Sequence, residues 1–319
     1  MKRIILIIAI VVGFFSCENF DREFDDYLYT SGYFPYQYPV RTLVLGDYIY
    51  DNSNDNAHKF VVSVAMGGVY ENTKDRAFSV TVDESLCNNL LFAAGGAEVK
   101  PLPSNYYTLA SADRIVIPKG EYNGGVEVQL SDAFFNDPLA IKNTYVLPMR
   151  ITGSSDVDTI LQSKNFTLFA VKYINEYHGT YFHYGKSSVK DPSGATVENT
   201  SYDSEKFVEN YPMVKLVTTG RYQASVSLSY ESAIFTGNFS LLLTFSGNNC
   251  TVSAPAGASY TATGTGEFKS KEYSWGNKER NGIVLNYTVT SDKGEYSASD
   301  VIVERDRGVK MELFSPVSK

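Results

Sequence analysis

The stretch Arg221–Tyr230, RYQASVSLSY, sets Tyr222, Ala224, Val226, Leu228 and Tyr230 on one face and Gln223, Ser225, Ser227 and Ser229 on the other. Successive side chains of an extended chain point to opposite faces, so this alternation fits a strand with one face buried. It recurs at Ala77–Val82, Gly125–Ser131 and Gly282–Thr290, and further β-rich runs lie at Lys59–Ala65, Arg114–Ile117, Asn238–Phe245 and Asp300–Glu304. Gly, Asn, Asp and Pro clusters separate them, as in Pro118-Lys119-Gly120 and Ser246-Gly247-Asn248-Asn249. Short strands with regular turn signals predict an all-β chain of sandwiches or barrels. Helical signal is confined to a turn or two within Leu86–Phe92 and a short piece at Ser204–Asn210, neither long enough to organise a domain.

The length of 319 residues exceeds one typical domain. A boundary fits near Val171–Glu176, where one strand-like run ends and the aromatic run Tyr177–Tyr184 begins. The expected units are residues 33–172, a sandwich, and residues 173–319, a second sheet or barrel. Cys87 and Cys250 fall in different units, which favours two buried thiols over a disulfide.

The N-terminus reads as an export signal. Lys2 and Arg3 precede an apolar run from Ile4 to Val12, too short to span a bilayer as a helix. Ser16 and Cys17 follow, and this pattern resembles a lipoprotein signal, which implies removal of residues 1–16 and lipid attachment at Cys17. Two or three acyl chains at about 0.8 kcal/mol per buried methylene would hold the chain on a membrane. The acidic run from Glu18 to Asp26 is too charged to enter a core and is expected to form part of a tether over residues 17–32. Loss of Lys2 and Arg3 leaves 26 Lys and Arg against 36 Asp and Glu, a formal charge of −10. That balance argues against nucleic acid as a partner, since phosphate binding needs a basic surface.

Several stretches of the first unit resemble the family called domain of unknown function 1735. They are YFPYQYPVRTLVLGD at Tyr33–Asp47, MGGVYENTKDR at Met66–Arg76, LPSNYYTL at Leu102–Leu109, IPKGEYNGGVEVQLSD at Ile117–Asp132 and YVLPMRI at Tyr145–Ile151. The second unit, with Gly264-Thr265-Gly266-Glu267-Phe268 and the ending Asp300–Gly308, resembles a lipocalin-like domain often fused to it. The resemblance implies an immunoglobulin-like β-sandwich followed by a lipocalin-like β-barrel in a Bacteroidota surface lipoprotein of a polysaccharide-utilisation system. The acidic residues after Cys17 resemble that group's signal for transfer to the cell exterior, so the implied place is the outer membrane, lipid-anchored and facing outward. The implied role is non-covalent glycan capture beside an outer-membrane importer complex, with no catalytic motif to carry over. These are fold-level analogies.

Among candidate binding residues, aromatic rings lead, because the C–H faces of sugars pack on them. The sequence has 24 Tyr and a single Trp. Trp275 lies in the polar stretch Tyr273–Lys278, expected to be a loop or strand end, with Tyr273 on the same face. In the second cluster, Tyr177, Tyr181 and His183 would point one way along a strand and His178, Phe182 and Tyr184 the other. One set must face a core. The glycan candidates are therefore Trp275, Tyr273, Tyr181 and Tyr177.

Other chemistry is thinner. Of three His, His178 and His183 fall on opposite strand faces, a poor start for a zinc site. Asp51–Asn56 spaces oxygen ligands as calcium loops do, but Asn56 stands where Gly is needed and Val62 where Glu is needed, so a solvated loop is expected. Gly264 and Gly266 start a dinucleotide fingerprint that Lys269 breaks, and they read as hairpin glycines. Arg305-Asp306-Arg307 reads as a surface ion-pair group. No cofactor is implied. The sequence predicts a glycan-binding lipoprotein rather than an enzyme. The alternatives are an adhesin or structural accessory that contacts protein and, less favoured, a glycoside hydrolase with two facing carboxylates.

Overall fold

The computed structural model describes residues 26–319 apart from Leu28 and Ala233. The export segment, Cys17 and the acidic run before Asp26 lie outside the described residues. The expected tether ends short of residue 32: the Thr30 amide donates to Asp158 at 2.7 Å, and Ser31–Tyr33 is already a strand.

The chain is all-β. A two-sheet sandwich comes first, and its five-stranded sheet runs Thr159–Ile160, Ser31–Tyr33, Lys59–Gly67, Asn123–Leu130, Tyr107–Leu109. The facing sheet runs Glu312–Leu313, Pro39–Val44, Phe166–Ile174, Tyr145–Gly153, Arg76–Val82, Arg114–Ile117, with Lys100–Pro101 alongside Tyr145–Gly153. Alternation builds it: Phe60, Val62, Val64 and Met66 point inward from one sheet and Phe78 and Val80 from the other, forming one buried cluster with Phe34 and Tyr173. Each such side chain contributes about 1.5–3 kcal/mol on burial. The last residues belong here too. Glu312–Leu313 pairs with Pro39–Val44 and Val317–Ser318 with Leu90–Leu91, so the stretch expected to end the second unit returns to the first.

The second unit is an eight-stranded barrel: Gly179–Lys190, Met213–Gly220, Gln223–Glu231, Thr236–Ser246, Asn249–Ser253, Thr261–Trp275, Lys278–Ser291 and Gly294–Asp306. It closes where Gly179–Lys190 pairs with Gly294–Asp306. Ala224, Val226 and Leu228 meet Leu241, Leu243, Ile283, Leu285 and Ile302 inside. Tyr222, expected on that face, lies before the strand and is 55% exposed. Gly264 and Gly266 are not hairpin glycines but sit in mid-strand. A Cβ on Gly264 would meet the Asn286 carbonyl oxygen at 2.3 Å and Tyr287 Cα at 2.6 Å, so glycine here lets neighbouring strands approach. Cys87 and Cys250 are buried and free, as expected, and burial pushes their thiols up to about 12 and about 11.

Arg307 joins the two units. It is 3% exposed, not a surface residue, and donates to the carbonyls of His178 at 2.6 Å, Asn175 at 2.6 Å, Asp47 at 2.8 Å and Leu45 at 3.1 Å. Only Arg305 and Asp306 form the exposed pair, 3.6 Å apart. The Asp51–Asn56 stretch also departs from a solvated loop. Asp55 is 2% exposed, accepts from the Val44 amide at 2.9 Å and pairs with Arg41, within the short helix Ser53–Asn56.

Candidate functional site

The barrel wall is incomplete on one side. Met213–Gly220 pairs with Gly179–Lys190 only through Gly179–Phe182, and its pairing with Gln223–Glu231 begins at Leu216. Beyond that point the free edge of Gly179–Lys190 is taken by an additional strand, Thr196–Ser201, which pairs with Lys186–Lys190. Gln223–Glu231 runs on to Glu231 with a partner on its other edge alone. Where the short strand runs out, a slot of about 340 Å³ enters the barrel between these two strands.

The slot's inner wall consists of side chains that alternation turns inward: His183 and Ser187, Tyr230, and Tyr296. Tyr202, which follows the additional strand, closes one side, and Glu198 and Thr200 form a lip opposite Met213, Ser227 and Ser229. Behind this wall lies Asp300, with no exposed surface. Its carboxylate accepts from Tyr202 Oη at 2.5 Å on Oδ1 and from Tyr287 Oη at 2.7 Å on Oδ2. His183 Nε2 stands 3.0 Å from Oδ2 but off the line a hydrogen bond requires. Tyr287 and Tyr230 share a hydrogen bond of 2.9 Å. Gly185 makes room for the carboxylate, since a Cβ there would lie 2.6 Å from Asp300 Oδ1.

A buried charge is tolerable only when donors surround it. The tyrosines fill that role and pay in acidity: burial, then the Asp300 charge, raises the Tyr202 and Tyr287 phenols above their ordinary value. Burial does the same for Tyr230 and Tyr296. All four therefore stay protonated. The aromatic faces pack edge to face, Tyr230 against Tyr296 with centroids 4.3 Å apart. The arrangement offers rings, hydroxyls and the Glu198 carboxylate at the mouth of a narrow opening, with Asp300 buried behind them.

The four residues singled out from sequence do not come together here. Tyr181 has no exposed surface and Tyr177 2%; Tyr177 stacks on Phe245 with centroids 3.5 Å apart, and Tyr181 Oη donates to the Tyr177 carbonyl. Neither presents a ring face to a ligand, so both are core residues, and their assignment as glycan contacts is corrected. Tyr273 and Trp275 lie on the outer wall. Tyr273 covers Gly282, where a Cβ would meet its ring at 2.4 Å. Trp275 packs on Phe182, carries the Arg280 guanidinium 4.7 Å from its centroid, and ends its strand before a tight turn in which Gly276 and Asn277 have φ of 60° and 58°. The predicted division of the aromatic cluster holds: Tyr181 and His183 face inward, Phe182 and Tyr184 outward. Outward does not mean exposed, because Trp275 covers Phe182 and Tyr211 stacks on Tyr184.

Sequence reasoning missed Tyr202, Tyr230, Tyr296 and Asp300 as a group. The available signal was Asp300 itself, an acid between Ala298 and Ile302 on the inward face of a strand. A second concavity of about 520 Å³ lies at the junction of the units, between Asp47–Tyr50 and the Lys278–Asn281 end of the barrel. Among the described residues, no group of three or more His, Cys, Asp and Glu could hold a metal, and no helix is long and apolar enough to cross a membrane.

Residues 176–308 match the model of the domain of unknown function 5627. Residues 26–158 match a model described as an N-terminal domain. A crystal structure of a Bacteroides ovatus protein of unknown function is similar over 92% of this chain and 100% of its own, at 35% identity and a TM-score of 0.85. Another of unknown function from the same organism is 12% identical over 90% of this chain and 99% of its own, with a TM-score of 0.46. A third, described as a "putative carbohydrate binding protein" of Bacteroides ovatus, is 14% identical over the same shares, with a TM-score of 0.33. Likenesses as distant as these last two carry nothing about the site. No curated protein matches the chain.

Proposed function

Because this chain belongs to the same family as the 35%-identical Bacteroides ovatus protein, with the domain of unknown function 5627 over residues 176–308, we propose that it is a binding protein that captures glycan non-covalently in the barrel slot. The observation that supports this reading is the slot itself, which places Tyr202, Tyr230 and Tyr296 beside serine and threonine hydroxyls in a space of about 340 Å³. Sugars need that combination: apolar C–H faces meet rings, and hydroxyls meet polar groups whose orientation is fixed. The buried Asp300 network fixes those orientations in advance, which lowers the ordering cost of binding. Lipid attachment at Cys17 and display on the outer membrane complete the proposal, placing the slot outside the cell where a polymer could be held for a neighbouring importer.

The test is a panel of plant, host and microbial polysaccharides presented to the chain from Tyr27 onward, with release of reducing sugar followed in the same wells. Binding without release supports capture, and release would make the protein an enzyme. Met213 is 55% exposed at the slot's lip, so Met213→Arg should block the slot without unfolding the barrel and abolish binding. Trp275→Ala should leave binding unchanged. The reverse pattern would move the site to the outer wall.

A further inference from the structure

Proton positions in the slot follow from the buried carboxylate. A tyrosine hydroxyl has one hydrogen to donate. Tyr287 spends its hydrogen on Asp300 Oδ2, so in the Tyr230–Tyr287 contact Tyr230 must be the donor. Tyr202 spends its hydrogen on Asp300 Oδ1. The same commitment holds around the lip: Thr200 Oγ1 donates to Glu198 at 2.8 Å and Ser229 Oγ to Asn238 at 2.7 Å. At Tyr202, Tyr230, Thr200 and Ser229 the oxygens therefore turn lone pairs rather than hydrogens toward the opening, and Ser187, Ser227, Ser232 and Tyr296 add hydroxyls beside them in the lining. The charged groups agree. No Lys or Arg lines the slot; Glu198 stands at its lip and Asp300 behind its wall, with His183 between. Aromatic ring faces also attract cations.

From this excess of acceptors, the acidic groups at the lip and behind the wall, and the absence of Lys and Arg from the lining, we infer that the slot selects a ligand that supplies donors and carries positive charge: a primary ammonium, which in a glycan means an amino sugar with a free amine. The inference rests on the glycan reading for the sugar, but the preference for an ammonium follows from the slot alone. Uronic acids and sulfated sugars are disfavoured for the same reason, since they would bring a negative charge beside Glu198 in a lining that holds no Lys or Arg.

The test is calorimetric titration of the chain from Tyr27 onward, in slightly acidic buffer, with three probes: a β-1,4-linked glucosamine tetramer, its fully N-acetylated counterpart, and 1,5-diaminopentane. The expected result is about tenfold tighter binding of the free-amine tetramer than of the acetylated one, with the difference lost in Glu198→Gln. Glu198 is on a largely exposed strand, so that variant should fold, and its melting temperature checks that it does. Equal binding of the two tetramers, or preference for the acetylated one, overturns the ammonium selection and leaves glycan capture standing. Binding of the diamine with neither tetramer bound upholds the ammonium selection and overturns the glycan reading. No binding of any probe overturns the inference, and the polysaccharide panel then decides the glycan reading separately.

Discussion

Arg307→Ala should uncouple the two units. The guanidinium is dry and donates to four carbonyls, two on the junction at Asn175 and His178 and two on the sandwich loop at Leu45 and Asp47. A hydrogen bond from a charged donor contributes about 1.5–3 kcal/mol. Water can replace the donor at Asp47, which is exposed, and partly at Leu45. It cannot easily do so at Asn175, which is 1% exposed. Counting the Asn175 and His178 bonds in full and the loop bonds as replaced gives a loss of about 3–6 kcal/mol, close to the roughly 3–5 kcal/mol for breaking a buried charged interaction. That is a large share of the 5–15 kcal/mol that ordinarily separates folded from unfolded states. Calorimetry or denaturant unfolding should show a lower first transition and, since each unit keeps its own core, separation into two transitions. A change below about 1 kcal/mol with a single transition retained would refute the argument and show that the ion pairs Lys271–Asp47 and Arg221–Asp132 hold the junction without it.

Three further outcomes follow. Because burial raises the Cys87 thiol to about 12 and that of Cys250 to about 11, neither should react with a thiolate-selective reagent at mildly alkaline pH until denaturant is added, as counting labelled thiols by mass would show. Burial, then Arg307, Lys215 and Lys172, lowers His178 to about 4; the unfolded chain takes up the proton first, so stability present above pH 6.5 should fall by about 3 kcal/mol as pH drops toward 4, and His178→Gln should flatten that part of the denaturation profile. Gly264→Val should destabilise the barrel by about 1–3 kcal/mol, read by thermal melting, because its Cβ would meet backbone atoms of Asn286 and Tyr287 that cannot rotate away.

Much of the fold was legible because a period of two is a local property. Ala224, Val226, Leu228 and Tyr230 face the interior as their spacing requires, and the same rule divided Tyr181 and His183 from Phe182 and Tyr184. It could not say what covers the outward set, since Trp275 reaches Phe182 through a strand nearly a hundred residues on, and sequence order carries no such distance. Arg307 shows the same limit. Nothing local distinguishes it from Arg305, two positions earlier on the same alternating face, yet Arg305 pairs in solvent and Arg307 lies under the sandwich loop. The slot was the least legible feature. It arises because Met213–Gly220 starts too late to accompany its neighbours, and a difference in strand ends becomes an opening only after the barrel closes.

Asp300 ties that opening to energetics. A carboxylate at an inward barrel position costs several kcal/mol in desolvation, and an apolar residue of similar volume there is often neutral or stabilising by comparison. The surrounding sequence adds to the cost, because Tyr202 and Tyr287 must be held with their hydroxyls inward and Gly185 must stay without a side chain to leave room. What the polar arrangement does supply is direction. It orients the hydroxyl of Tyr230 through Tyr287 and that of Tyr202 directly, so two of the three tyrosines that line the opening present fixed lone pairs to whatever enters. A stability cost concentrated behind a cavity, and converted there into orientation, is the physical pattern of a binding site rather than of a scaffold.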